Sequence, residues 1–366
     1  MIKTPEKILV AMSGGVDSSV AAALLVEQGH TVVGAYMKNW MHETDVFGEC
    51  PWQEDIDDAR AVADKLGIDF NVVNLMGEYQ ERVVDYLVRG YQEGITPNPD
   101  VMCNREIKFG AFLDYALEQG FAAVATGHYT QNRLRADGVW ELLEGSDGNK
   151  DQSYFLALLT QRQIAHARFP LGNIEKPEVR RIAQKLDLPN AAKKDSQGIC
   201  FIGKVKMSDF LKEYIPENPG VIIDPAGAVL GEHQGLHNFT LGQRRGIKVA
   251  STVCHENYVV VEKRKDTNEL VVAFDRPTTP KLYAKVCTVH NLTFPSGPIT
   301  EVGALSARPR YRAERVSIKY EPLSASSARI EFVKPQRALA PGQICALHNG
   351  AVLVGGGIFS EIDYQC

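Results

Sequence analysis

ILVAMSGGVDSSVAAALL, residues Ile8 to Leu25, sets an apolar run, a Ser-Gly-Gly turn and a stretch of small residues end to end. Ile8–Met12 is short and apolar, as a buried parallel strand would be. Gly14 and Gly15 permit backbone angles closed to other residues and let a ligand come close to the main chain. From Asp17 onward, Val20, Leu24 and Leu25 recur at helical spacing, and Gly29 is placed to end that helix. TVVGAYM, Thr31 to Met37, reads as a second strand and completes a strand–turn–helix–strand unit. Free N–H groups at such a helix start, with the positive end of its dipole, form an anion site. An ordinary glycine turn of an α/β protein has the same local look.

This turn carries no lysine. A Walker-type loop would need G-x-x-x-x-G-K-[ST], which does not occur, and a dinucleotide turn would need G-x-G-x-x-G, absent here. SGGVDSS instead resembles the PP-loop of the N-type ATP pyrophosphatases. That resemblance implies a loop that grips the β- and γ-phosphates while chemistry takes place at the α-phosphate. A substrate oxygen would attack ATP, and AMP would later leave with that oxygen. Transfer of the γ-phosphoryl group, where a loop lysine commonly assists, is not implied.

At 366 residues the chain is longer than one core usually supports, so two or three domains are expected. Its apolar content, 44%, and charge, −5, are those of a soluble globular protein. MIKTPEKILVAM lacks the apolar stretch of a signal peptide, and no run is long enough for a membrane span. Seven cysteines at scattered positions show no disulfide framework, so reduced cytosolic thiols and a cytoplasmic location are expected. No C-x-x-C pair marks a zinc or iron–sulfur site, and no protein-bound metal is expected. Charge is uneven: residues 281–366 hold 10 basic and 6 acidic side chains, whereas residues 1–210 hold 22 and 30. Only the C-terminal part is therefore basic, which suits a polyanion or a solvated face.

Alternating strand and helix patterns run from residue 55 to 210, as a mostly parallel sheet covered by helices requires. DIDDARAVADKLG points Ile56, Ala59, Ala63 and Leu66 inward and stops at Gly67; REIKFGAFLDYALEQG reads as a later helix and FAAVATGH as a strand. Helical periodicity ends near ENPGVIIDPAGAVLGEH, Glu217 to His233. YVVVEKRKDTNELVVAF reads as a hairpin, and RVSIKY, ARIEFV, ICALHN and VLVGGGIF as short strands. The expected fold class is α/β: a parallel-sheet domain over 1–210, a small β-rich domain over 211–280, and a β-barrel or sandwich over 281–366.

Two stretches carry unusual cysteines. In TPNPDVMCNREIKFG, Pro97 and Pro99 constrain a loop that places Asp100 and Cys103 just before a helix. A thiol near a helix start is a better nucleophile, although a lone cysteine in a loop is more often a small buried hydrophobe. In KKDSQGICFIG, Cys200 follows a glycine turn beside a lysine-rich segment. Together with SGGVDSS, YMKNW, ATGHY, NKDQSYFL, GEHQGLHNFTLGQRRG, RPRYR and APGQ, in this order along the whole chain, they resemble the tRNA-specific 2-thiouridylases. Ala11 and Gln197 depart from the residues often found there, glycine and threonine or proline.

The resemblance implies an adenine nucleotide alpha-hydrolase-like first domain followed by a central β domain and a C-terminal barrel. It implies an ATP site at Ala11, Met12, Ser13, Gly14, Gly15, Val16, Asp17 and Ser18, with Met37 and Gly127 at the ends of parallel strands. Asn98, Pro99 and Asp100 would meet the target uridine, and Asp100 would also be catalytic, transferring protons or orienting the base. Cys103 would be the nucleophile, Cys200 the persulfide carrier, and the two would end as a disulfide. Lys150, Asp151, Gln152, Arg310 and Tyr311 would contact tRNA, a basic residue beside an aromatic suiting phosphate and base. Implied partners are ATP with Mg²⁺, the anticodon wobble uridine of tRNAs for Lys, Glu and Gln, and a persulfide carrier fed by a cysteine desulfurase. The two cysteine loops are expected to stand apart until tRNA closes the site.

Three other readings compete. An amidotransferase-fed adenylating ligase would not need both Cys103 and Cys200, and a 2-thiocytidine-type enzyme would show C-x-x-C pairs. A non-catalytic nucleotide sensor would have structural cysteines only. His233 and His237 resemble a metal pair but lie on a turn-rich segment without nearby carboxylates, and His128 has the setting of a buried structural histidine.

Overall fold

Alternation in the first strand decides how the sheet is covered. The computed structural model describes residues 4–39, 51–194, 207–251 and 253–364. β1 (Lys7–Ala11), α1 (Val16–Glu27), β2 (Thr31–Lys38), α2 (Pro51–Leu66) and β3 (Asp69–Asn74) follow one another as the pattern requires. Leu9 and Ala11, with Val33, Ala35 and Val73, face one apolar cluster; Ile8, Val10 and Met12, with Val32, face another. A strand buried on both faces must be apolar throughout, which is why ILVAM has no polar alternation. Each such buried Val, Leu or Ile contributes roughly 1.5–3 kcal/mol.

The first of these faces is covered by helical turns over Met76–Tyr79, Gln80–Val84 and Asp85–Gln92, and by a second run over Pro99–Met102, Cys103–Ala111 and Phe112–Glu118. The other is covered by α1, α2 and a helix over Lys176–Lys185. β4 (Ala123–Ala125) pairs in parallel with β1. It is shorter than the apolar run FAAVATGH because the chain leaves the sheet at Thr126, whose hydroxyl bonds His128 Nδ1 at 2.7 Å.

β5 (Thr130–Leu134) and β6 (Trp140–Glu144) then form an antiparallel hairpin, a break in the strand–helix alternation. β7 (Ala167–Arg168) returns to the parallel sheet, whose order is β3-β2-β1-β4-β7. Chain direction across the sheet reverses between β1 and β4, the position where open α/β sheets hold ligands.

β8 (Gly220–Ile223), β9 (Val229–His233), β10 (Tyr258–Arg264) and β11 (Glu269–Phe274) make a four-stranded sheet of order β10-β11-β8-β9. β12 (Tyr283–Thr293), β13 (Gly303–Arg308), β14 (Val316–Ser324), β15 (Ser327–Arg337), β16 (Ile344–Asn349) and β17 (Val352–Tyr364) close into a six-stranded barrel through the β12–β17 pairing. The expected choice between barrel and sandwich resolves to the barrel. The β5–β6 hairpin continues this sheet, pairing Leu142 and Leu143 with β17. Among the described residues, no helix is long and apolar enough to cross a membrane.

Candidate active site

The Ser-Gly-Gly turn closes the carboxyl end of β1 and opens α1. Gly14 has φ +72°, and a Cβ there would lie 2.5 Å from the Asp55 carbonyl oxygen. Only glycine fits on both counts. Gly15 is the N-cap of α1 and offers no side chain to the first amides, so no side chain caps them, as an anion site at a helix start requires. Side chains brace the turn from within. Ser18 Oγ and Ser19 Oγ each donate to the Gly15 carbonyl at 3.0 Å, and the Ser13 N–H donates to Ser18 Oγ at 3.2 Å. Gly127 lies against the same helix start, where an added Cβ would meet the Ser18 nitrogen at 2.8 Å. Met37 lies near the carboxyl end of neighbouring β2. A Gly14→Ala protein is expected to carry at least about 1–3 kcal/mol of backbone strain, and to lose ATP binding. A thermal melt and an ATP titration check this.

The lysine missing from the turn is supplied by a distant part of the chain. Lys176 Nζ donates to both Asp17 carboxylate oxygens, at 2.7 and 2.9 Å, from the start of the Lys176–Lys185 helix. Asp147 holds that helix start in place, accepting the Lys176 N–H at 3.0 Å. The Tyr129 hydroxyl also donates to Asp17, at 2.8 Å. Asn190 braces the turn by donating to the Gly14 carbonyl at 2.8 Å and to Ser19 Oγ at 2.9 Å. Lys193 pairs with Asp55 and Asp58 at 2.7 and 2.5 Å, beside the residue that Gly14 touches. Burial opposes the charge on Lys193, but these two carboxylates outweigh it and raise its pKa. Sequence reasoning missed Lys176, Tyr129, Asn190 and Lys193. The only signal was their place near recognisable motifs, which says nothing of distance in space.

The cysteine loop is more helical than expected. Asn98 is the N-cap, its side chain accepting from the Val101 N–H at 3.2 Å, and Pro99 opens the helix. Asp100 and Cys103 therefore sit inside the helical run, not on a loop before it. Proline at the first helical position costs no hydrogen bond, so the helix starts at once. From Cys103 to Ala111 the turns widen to π geometry, with a break at Gly110. Cys103 is 1% exposed, within the cluster that includes Leu9 and Ala11. Cys200 and its loop lie outside the described residues, and so does any Cys103–Cys200 contact. Cys287 and Cys345 are buried in the barrel and Cys254 is exposed. Burial pushes the Cys287 thiol up to about 12, so it stays protonated.

Of the candidate tRNA residues, Asp151 and Tyr311 meet at a seam between the parallel-sheet domain and the barrel. Tyr311 packs on Phe155 with ring centroids 4.4 Å apart, and the Arg312 guanidinium lies over the Tyr311 ring, 5.4 Å from its centroid. A cavity of about 140 Å³ there is lined by Asn149, Asp151, Arg308, Tyr311 and Arg312 among others. Asp151 is only 5% exposed, and its carboxylate accepts from Arg308 at 2.6 Å and from the Ser153 N–H at 3.1 Å. It holds the seam. Gln152 accepts the Tyr129 N–H at 3.1 Å, which ties this segment to the residue that contacts Asp17. Arg310 is exposed and donates to the Arg337 carbonyl at 3.3 Å; desolvation and Arg337 lower its pKa.

Of the histidines, His128 is buried against Phe109 and Phe169, and burial, aided by Lys108, keeps it neutral. His233 accepts from the Gly235 N–H at Nδ1, so Nε2 donates to the Asn268 carbonyl. Both nitrogens are used, which leaves none for a metal. Among the described residues, no group of three or more His, Cys, Asp or Glu could hold a metal ion.

Comparison with known proteins agrees with this arrangement. Residues 6–204 match the family described as a tRNA methyl transferase HUP domain, residues 208–274 its PRC-barrel domain, and residues 284–359 an aminomethyltransferase β-barrel domain. A tRNA-specific 2-thiouridylase of Akkermansia muciniphila is 55% identical over 357 residues, covering 98% of this chain and 99% of that protein. Its counterpart in Proteus mirabilis is 46% identical, covering 96% of each, and that of Neisseria meningitidis is 44% identical, covering 98% and 96%. With the phosphate turn, the Asn98-capped helix and the barrel seam all on one chain that matches these relatives end to end, the protein belongs to the tRNA-specific 2-thiouridylase family.

Proposed function

We propose that this protein uses ATP to activate the C2 oxygen of the wobble uridine in tRNA and replaces that oxygen with sulfur. One observation carries the proposal. The strand that leads into the anion-binding turn shares one apolar cluster with the Asn98-capped helix: Leu9 and Ala11 pack in the same core as Val101 and the buried Cys103 thiol. The uridine oxygen attacks the α-phosphorus and pyrophosphate leaves. The terminal sulfur of a Cys200 persulfide then attacks C2, and Cys103 attacks the Cys200 sulfur to break the S–S bond and free the thiolated base; in the other route Cys103 attacks that inner sulfur first and frees sulfide to attack C2. AMP departs with the oxygen, and Cys103 and Cys200 are left as a disulfide for an outside thiol to reduce. Asn98, Pro99 and Asp100 hold the base, which must leave its stack to reach ATP.

Asp17 is a carboxylate at the mouth of an anion site, and two anions there repel unless a cation sits between them. Lys176 serves now. A magnesium ion brought by the phosphates would fit the same oxygens and would shield the triphosphate. We place ATP on residues 11–18 with Met37 and Gly127, and the tRNA on Lys150, Gln152, Arg310 and Tyr311. In this proposal residues 1–210, 211–280 and 281–366 act as the catalytic, central and docking units of a cytoplasmic enzyme. Its substrates are tRNAs for Lys, Glu and Gln, and a persulfide carrier loads Cys200.

A methyl-transfer reading, suggested by the description of the matched domain family, has no use for a glycine turn whose Asp17 is paired with Lys176 at a helix start. Nucleosides from tRNA of a strain lacking this protein, measured by mass spectrometry with and without the restored gene, decide between them. Loss of 2-thiouridine derivatives alone is expected; unchanged 2-thiouridine overturns the proposal. In vitro, AMP and pyrophosphate are the expected products, and stoichiometric ADP excludes the mechanism. For docking, Lys150→Ala is expected to weaken tRNA binding across all substrates and lower the salt slope by about one. Filter binding at several salt concentrations checks this.

A further inference from the structure

Three segments far apart in sequence, TPNPD, FTLGQ and APGQ, meet at Thr96. This residue is 9% exposed. Its N–H donates to the Pro341 carbonyl at 2.8 Å, and its own carbonyl accepts from Gln343 Nε2 at 2.9 Å. Its hydroxyl meets that of Thr240 at 3.3 Å. Every polar group of Thr96 is thus engaged from outside the parallel-sheet domain, by the loop before β16 or by the segment between β9 and β10. Gly342 has φ +91°, and a Cβ there would lie 2.9–3.0 Å from Thr96 main-chain atoms, so the approach is as close as a backbone allows.

The chain beyond Thr96 is stiff. Pro97 packs on Gly90, where an added Cβ would meet the ring at 2.8 Å. Pro97 and Pro99 fix their φ angles, and the Asn98 cap fixes the helix start between them. A shift at Thr96 is therefore carried to Asn98, Asp100 and Cys103 and is not absorbed on the way. The barrel end is equally fixed. The Gln343 carbonyl accepts the Phe359 N–H at 2.9 Å, and the next residue, Ile344, accepts the Tyr154 hydroxyl at 3.2 Å. Tyr154 packs on Tyr311, a candidate tRNA contact.

We propose that Gln343 is a positioning residue for the thiolation site: with Thr240 it holds Thr96, and so sets where the Asn98–Cys103 helix presents the base and the thiol. The inference rests on the proposed thiolation activity, but its test has an arm that does not. Gln343→Glu keeps the shape, removes the donor and sets a carboxylate oxygen against the Thr96 carbonyl. In the full-length protein, single-turnover thiolation at saturating ATP and unmodified tRNA transcript is expected to fall about tenfold or more, about 1.4 kcal/mol, with tRNA Kd unchanged. Alkylation of Cys103 by iodoacetamide, followed by peptide mass spectrometry without ATP or tRNA, is expected to run several-fold faster.

Thr240→Val, which lacks the hydroxyl, should shift both readouts the same way. Thr240→Ser, which keeps it, should match the wild type, and this pair decides the matter if the Gln343 variant does not fold. Wild-type alkylation and thiolation rates in Gln343→Glu and Thr240→Val overturn the inference. So does a rate loss matched by an equal loss of tRNA affinity with Cys103 alkylation unchanged. If the wild type itself makes no 2-thiouridine, the proposed function fails, while the alkylation rates still decide the staple.

Discussion

A Cys103→Ser protein is expected to release pyrophosphate from ATP in the presence of tRNA and yet make no 2-thiouridine. The expected loss is on the order of 10⁴-fold or more, the scale of removing a covalent nucleophile. Serine keeps the small buried shape, so the apolar cluster around position 103 should survive and the thermal midpoint should move little. Cys200→Ser should fail one step earlier and accept no sulfur from a persulfide donor, as intact-protein mass spectrometry would read. Cys103→Ser should still load sulfur on Cys200. Replacing Cys254, Cys287 or Cys345 should leave thiolation intact, since one is exposed and two are buried in the barrel, far from solvent chemistry. Thiolation at the wild-type rate by Cys103→Ser would make this thiol structural and end the proposed mechanism.

The second large effect is expected at the ion pair under the phosphate turn. Lys176→Gln leaves the Asp17 carboxylate facing the incoming triphosphate without its cation, and only the Tyr129 hydroxyl still donates to it. Adenylation is expected to fall by roughly 10²–10³, as when one preorganised charge-stabilising donor is removed. Most of this should show as weaker ATP binding, with tRNA affinity unchanged. Asp17→Asn keeps the Tyr129 bond but loses the charge that holds Lys176 and would hold magnesium. The double variant should lose less than the two single losses combined, because the residues act as a pair. Pyrophosphate release and ATP titration on the four proteins measure this. Strict additivity would mean that Lys176 and Asp17 act separately.

Local order made much of this protein readable in one dimension. ILVAM without polar alternation suits a strand buried on both faces, and Leu9/Ala11 against Ile8/Val10 is that result in space. Gly14, Gly29 and Gly67 adopt positive φ where the pattern places turns or helix ends. These features depend on neighbours a few residues apart, so their causes lie within the window that periodicity and turn chemistry describe. The helix at Pro99 escapes the same local rules. Two prolines in three residues suggest an irregular loop, whereas a proline at the first helical position, under an asparagine cap, starts a helix.

The remainder depends on separations that no local pattern encodes. Lys176 reaches Asp17 across 159 residues, and Gln343 reaches Thr96 across 247. The hairpin Thr130–Glu144 lies among strands of the parallel sheet in sequence but pairs with β17 of the barrel. A strand edge pairs with whatever edge packing brings to it, and that choice is made only when the domains have docked. The shape of the Ser13–Ser18 turn was therefore legible, because glycine freedom and a helix start are written in adjacent residues. Its lysine was not, because a cation 159 residues away joins the turn only through the fold that carries the Lys176–Lys185 helix to the switch between β1 and β4.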